Sequence, residues 1–152
     1  MGSEEIKIIS KNKKAGFSYT ISNDWETGIV LVGSEVKSLR DGNVNLKDSY
    51  AQIKNGEVWV HQMHIGTYPY AHHGNHDPLR PRKLLMHRHE IKKIIGKTTE
   101  KGHALVPLSI YFKKGRVKMK LGLGKGKQLF DKRQSIKERE AKIELDRANK
   151  YK

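Results

Sequence analysis

Over residues 116–124 apolar and polar positions alternate: Val117, Met119, Leu121 and Leu123 are separated by lysines and Gly122. A period of two sends one row of side chains to a core and the other to solvent or phosphate, which predicts a half-buried strand. The run 103–114 is rich in β-branched and aromatic residues and meets it at Gly115, so the pair predicts a hairpin. Strands over 49–54 and 57–63 flank Asn55-Gly56, the strongest short hairpin signal in the chain. Strands over 17–21 and 27–32 flank the polar stretch 22–26, which reads as a third hairpin turn.

Two segments switch to a helical period. Val36 and Leu39 are spaced i,i+3 behind Ser34 as N-cap, with Gly42 as the stop. Ile91, Ile94 and Ile95 share one face of a second helix ending at Gly96. Between the strands and that helix, residues 64–83 are rich in turn formers and read as a long surface loop. Six short strands and two short helices predict a small closed sheet, not a doubly wound one. From Lys125 onward the apolar positions thin out to Leu129, Phe130, Ile136, Ile143 and Leu145, with two alanines. Ser135 and Glu138 have capping-box spacing, and Glu138–Lys142 and Asp146–Lys150 are favourable i,i+4 pairs. The segment is helix-competent without a core to fold onto. The expected organisation is a barrel domain over 1–124 and a basic tail over 125–152 that is disordered alone and folds on a partner.

Charge changes the picture most. The 152 residues carry 31 Lys and Arg against 16 Asp and Glu, a net charge of +15. That excess favours a polyanion, because neutralising phosphates releases condensed counterions. There is no cysteine, which excludes disulfides and cysteine zinc sites. The N-terminus has acids where a secretory signal needs bases, and the run 29–32 is too short to cross a bilayer, so a soluble, cytoplasmic protein is expected.

Candidate chemistry narrows the classes further. The glycines of 122–127 do not make a Walker A loop: its first glycine position is Leu121, and Gln128 lacks the magnesium-binding hydroxyl. They also miss the dinucleotide fingerprint and fit a strand end where backbones approach closely. His72, His73 and His76 share a loop and His61-x-x-His64 sits at a strand end, but their spacing matches no defined metal site. No metal and no cofactor are expected. Glu35, Asp41 and Asp48 have sufficient reasons in capping and ion pairing, so no enzyme is expected either. Basic clusters at Lys11, Lys13 and Lys14, at Lys37 and Arg40, and at Arg80, Arg82 and Lys83 are interleaved with aromatic residues, the combination RNA stacking needs.

The strings "NKKA" (12–15), "GSEVKSLRDGNVNLKDSY" (33–50), "DPLRPRKLLMHRHEI" (77–91), "VPLSIYFKKGRVKMKLGLGKGK" (106–127) and "DKRQSIKERE" (131–140) resemble the small protein B, or SsrA-binding protein, family. The likeness runs from about Ile9 to Tyr151. It implies a mainly β fold, a six-stranded oligonucleotide-binding (OB-like) barrel with about three helices including the tail helix. It implies binding to the tRNA-like domain of transfer-messenger RNA and escort of that RNA to stalled ribosomes for rescue by trans-translation. The tail would become helical in the vacant mRNA path at the small-subunit decoding centre. No membrane or small-molecule partner is implied. The RNA-binding candidates carried over are Asn12, Lys13, Lys14, Tyr19, Glu26, Lys37, Arg40, Tyr50 and Leu85. The tail candidates are Lys125, Lys127, Phe130, Asp131, Lys132, Arg133, Ile136 and Lys137. The chain departs from the family pattern at Gly16, Phe17, Gln128 and Phe130. Two alternatives stand beside this reading: a generic structured-RNA binder on the same barrel, and a metal-dependent nuclease using the histidine loop.

Overall fold

The computed structural model describes residues 5–71, 74–98, 102–127 and 129–150. In chain order these form β1 (Ile6–Lys11), α1 (Lys13–Ser18), β2 (Tyr19–Ile29), α2 (Gly33–Arg40), β3 (Val44–Asn45), β4 (Tyr50–Lys54) and β5 (Glu57–His61). They continue as β6 (His64–Ile65), β7 (Arg82–Leu85), α3 (Arg88–Thr98), β8 (His103–Lys113), β9 (Arg116–Gly126) and α4 (Leu129–Lys150).

All strand pairs are antiparallel, and the order β8-β4-β5-β7-β2-β9 returns to β8 through the β8–β9 hairpin, so six strands form a closed ring. β1 lies outside it along β8, and β3 pairs with β6 in a separate two-stranded piece. The alternation seen in the sequence of β9 is the ring's inside and outside: Met119, Leu121 and Leu123 are buried, whereas Lys120 is exposed. They meet Val58, Val60, Leu84, Leu105 and Ile110 in one core, which Leu39 of α2 and Ile94 of α3 close. Both tight turns use positive φ as expected: Asn55 and Gly56 at 53° and 75°, Lys114 and Gly115 at 51° and 75°.

Several expectations are corrected. Residues 17–21 and 27–32 are not a hairpin. β2 runs unbroken from Tyr19 to Ile29, and its predicted turn is mid-strand, paired to Lys120–Leu123 of β9. The polar residues there are one solvent-facing row. Trp25 and Thr27 turn inward between exposed Asp24, Glu26 and partly covered Gly28, with a register shift between Ile21 and Asn23 absorbing the misfit. Residues 30–32 leave the strand, and 17–18 close the unexpected six-residue helix α1. β1 was not expected, β6 stands inside the stretch read as loop, and β7 begins in its last two residues. The ring therefore has six members because β7 replaces the strand lost when two predicted ones merge. The helices number four among the described residues, not three. α2 starts one residue before Ser34: Val32 is its N-cap, and Glu35 accepts the Val32 N–H at 2.9 Å. α3 passes Gly96 to end at Thr98, and β9 runs past residue 124 to Gly126.

Candidate nucleic-acid interface

Where the ring closes most loosely, a cleft opens. β4 meets β8 through the pair Ala51–Leu105, and beside that junction lies a cleft of about 1030 Å³. Asn12, Lys14, Tyr19, Tyr50 and Lys127 line it together with Lys54 and His103. Asn12 caps α1: its Oδ1 accepts the Ala15 N–H at 3.2 Å, while its Nδ2 donates to the Pro107 carbonyl at 2.9 Å and to the Leu46 carbonyl at 3.3 Å. The Asn12 amide is thus spent on the protein, and it caps the first turn of α1, where Lys13 and Lys14 are exposed. Lys14 Nζ pairs with Asp48 Oδ1 at 2.6 Å, an exposed contact that phosphate can displace at small cost. Tyr50 stacks on His61 with centroids 5.3 Å apart and planes 21° from parallel. Lys127 ties the end of β9 to α1 through its N–H to the Ser18 carbonyl and its Nζ to the Gly16 carbonyl.

Around the ring, β2 and β9 present Glu26 among bases. Its Oε2 accepts the Tyr111 hydroxyl at 2.6 Å, and Lys113 Nζ lies 3.2 Å from both carboxylate oxygens. The Tyr111 hydrogen bond leads in holding the Glu26 carboxyl below its ordinary value; partial burial opposes it, and Lys113 adds to the lowering. Burial, followed by the bond to Glu26, pushes the Tyr111 phenol well above its usual value. Glu26 is thus an ionised acceptor at neutral pH, suited to a base amine or ribose hydroxyl and not to a phosphate. Leu85 lies 52% exposed on β7 opposite Gly28, a large apolar side chain left at the surface.

A model of the SmpB protein family matches residues 9–151. The SsrA-binding protein of Bacillus subtilis (strain 168) is 57% identical over 142 residues, covering 93% of this chain and 91% of that protein. The SsrA-binding protein of Syntrophobacter fumaroxidans is 54% identical over 147 residues, covering 97% and 91%. The chain belongs to the SmpB family. A solved structure from work described as "tmRNA-SmpB: a journey to the center of the bacterial ribosome" matches with a TM-score of 0.68 and 41% identity, over 84% of this chain and 93% of that one.

In this SmpB-family chain the sequence candidates fall into three groups. Asn12, Lys14, Tyr19, Tyr50 and Lys127 meet at the cleft, with Lys13 and Lys125 near its rims on α1 and β9. Glu26 and Leu85 belong to other strands of the ring, and Lys37 and Arg40 to α2. The third group is the tail. Arg133, Ile136 and Lys137 are exposed on α4, while the side chains of Phe130, Asp131 and Lys132, and Gln128 as a whole, lie outside the described residues. So do His72 and His73 of the histidine loop. Its third member, His76, is buried and uses both ring nitrogens, on Ser34 and on the Ile65 carbonyl, which leaves no lone pair for a metal. No described helix is long and apolar enough to cross a membrane. Sequence reasoning missed Tyr111 and Lys113. They sit in a strand that reads as core, and the pairing of β2 and β8 on either side of β9 brings them to Glu26.

Proposed function

We propose that this chain binds the tRNA-like domain of transfer-messenger RNA and escorts it to stalled ribosomes for rescue by trans-translation. The closed ring acts as an OB-like barrel in the cytoplasm, as a binding protein without catalysis, metal or cofactor. Basic residues at the cleft and on α1 neutralise phosphates, tyrosines offer faces for unpaired bases, and Glu26 accepts hydrogen bonds from base or ribose. Beyond β9, the tail is disordered before the ribosome is met and becomes helical in the vacant mRNA path, with Phe130 stacking at the decoding centre and Lys132, Arg133 and Lys137 on phosphates. The observation that carries this reading is the convergence of Asn12, Lys14, Tyr19, Tyr50 and Lys127 on one basic cleft at the root of the tail, in a chain of this family. Competition binding is the test: the tRNA-like RNA should displace labelled complex at far lower concentration than bulk tRNA. Equal competition by the two would favour a generic RNA binder instead.

A further inference from the structure

Residues 66–80, between β6 and β7, read as open loop in the sequence, yet among the described residues Tyr68, Asn75, His76, Pro78 and Arg80 are tied down by side-chain hydrogen bonds. His76 is only 9% exposed; its Nδ1 lies 2.8 Å from the Ser34 hydroxyl of α2 and its Nε2 2.9 Å from the Ile65 carbonyl. A carbonyl only accepts, so Nε2 carries the proton and Nδ1 accepts from Ser34. Asn75 works as a strand partner would: its Nδ2 donates to the Tyr68 carbonyl at 2.8 Å, and its Oδ1 accepts the Tyr68 N–H at 3.0 Å. On the exit side Arg80 and the fully buried Arg82 both bond the buried Glu35 carboxylate, and Arg82 also donates to the Met63 and Pro78 carbonyls.

What these bonds hold in place is a pair of rings beside a cation. Tyr68 and Tyr70 meet edge to face, with centroids 5.6 Å apart and planes at 69°. Lys37 Nζ stands 5.5 Å from the Tyr68 centroid, a cation–π contact that fixes the ammonium at the surface. Tyr70 is 70% exposed. A cleft of about 520 Å³ runs from both tyrosines to Lys37, Ser34 and Arg80. Core packing does not account for Tyr70, because a ring left mostly in water adds little hydrophobic stability, whereas ordering its loop costs entropy. An exposed ring set edge-on against Tyr68, whose other neighbour is the Lys37 ammonium, suits an unpaired nucleotide: the base stacks on the ring and its phosphate meets the cation.

We propose that Tyr70 and Lys37 form a stacking site for one unpaired RNA nucleotide, distinct from the cleft at the root of the tail. It rests on the reading that this chain binds RNA. Tyr68, with one face given to Lys37, backs the site and does not stack. Base identity matters little, since every base has a π-face.

Full-length protein, wild type and variants, would be titrated with the tRNA-like RNA and, in a second arm, with small ribosomal subunits. The two arms separate the two sources such a nucleotide could have. Tyr70→Ala should weaken binding in one arm by about tenfold, while Tyr70→Phe, which keeps the ring, stays within about twofold of wild type. Lys37→Gln should lower the salt slope by about one in that same arm. Thermal melting should leave Tyr70→Ala unchanged, as befits an exposed side chain. Unchanged affinity of Tyr70→Ala in both arms overturns the site, as does a loss that Phe fails to rescue. Loss of a ribosomal protein contact with RNA affinity intact would equally overturn it, in favour of a protein partner. Failure of the wild type to bind either RNA would instead remove the underlying functional reading.

Discussion

Glu26 is an acid on a strongly basic surface, and its neighbours explain how it persists there. Tyr111 donates to one oxygen and Lys113 approaches both, so the carboxylate is oriented before any RNA arrives. Tyr111→Phe deletes only the hydroxyl. We expect it to weaken binding of the tRNA-like RNA nearly as much as Glu26→Ala, about tenfold, with the double variant no worse than Glu26→Ala alone, measured at fixed salt. Additive losses would mean that the two act separately. In tyrosine absorbance titrations, Glu26→Gln should bring one phenol down toward its ordinary value. Glu35 makes the complementary case for stability. Burial works to raise its carboxyl, but Arg80, the Val32 N–H and Arg82 together hold it below the ordinary value. A depressed folded-state value contributes stability that is complete above the ordinary carboxylate range and is lost as pH falls through the folded-state value. Glu35→Ala leaves the fully buried Arg82 uncompensated and should cost about 3–5 kcal/mol at pH 7. Urea midpoints for the variant should also depend less on pH below 5 than those of the wild type, roughly by the protons Glu35 no longer takes up.

At the scale of elements, β9 separates a glycine that close approach requires, Gly124, from one that it does not, Gly126. A Cβ at Gly124 would lie 2.8 Å from the Tyr19 Cβ and 3.0 Å from Ile21 Cδ1, whereas one at Gly126 would meet nothing within 4 Å. Gly124 is therefore required for β2 to pair closely with β9 and for Tyr19 to stay at the rim of the cleft. Gly124→Ala should destabilise by about 1–3 kcal/mol and weaken RNA binding with it. Gly126→Ala should stay within about 0.5 kcal/mol of wild type by denaturant unfolding. Equal effects at the two positions would locate the constraint in backbone conformation and not in close approach.

At the scale of the whole molecule, the proposed reading gives RNA binding to the ring and ribosome rescue to the tail. α4 keeps Ile136, Ile143 and Leu145 exposed at 42%, 43% and 64%, so among its described side chains these three add little hydrophobic burial against the ring. Truncation after Gly126 should keep affinity for the tRNA-like RNA within about tenfold, about 1.4 kcal/mol, while abolishing rescue of stalled ribosomes. Complete loss of RNA binding in a gel shift would place the main RNA site in the tail. Ile136→Pro should reproduce the truncation, because proline removes an amide donor and clashes with the preceding turn. Amide exchange in the free protein should show little protection over 136–145. Strong protection there would make the tail part of the fold.

Local sequence carried the β8–β9 and β4–β5 hairpins, because a strand's residue pattern and a turn's need for positive φ are local. It also carried the apolar faces of α2 and α3 and, through charge and short strings, the class of partner. Stretch 22–26 went wrong for a physical reason. Asn23, Asp24 and Glu26 are turn formers by composition, but here they are the wet face of β2, and the decision lies in its register with β9. Arg82 and Glu35, 47 positions apart, and Tyr111 and Glu26, 85 apart, carry no mutual signal along the chain. Such pairs exist only once α2 lies beside β7 and β2 has paired with β9. Tertiary structure decided the ring's closure, which put β6 at the start and β7 at the end of a presumed loop at 64–83, because long-range register depends on every strand in the ring at once.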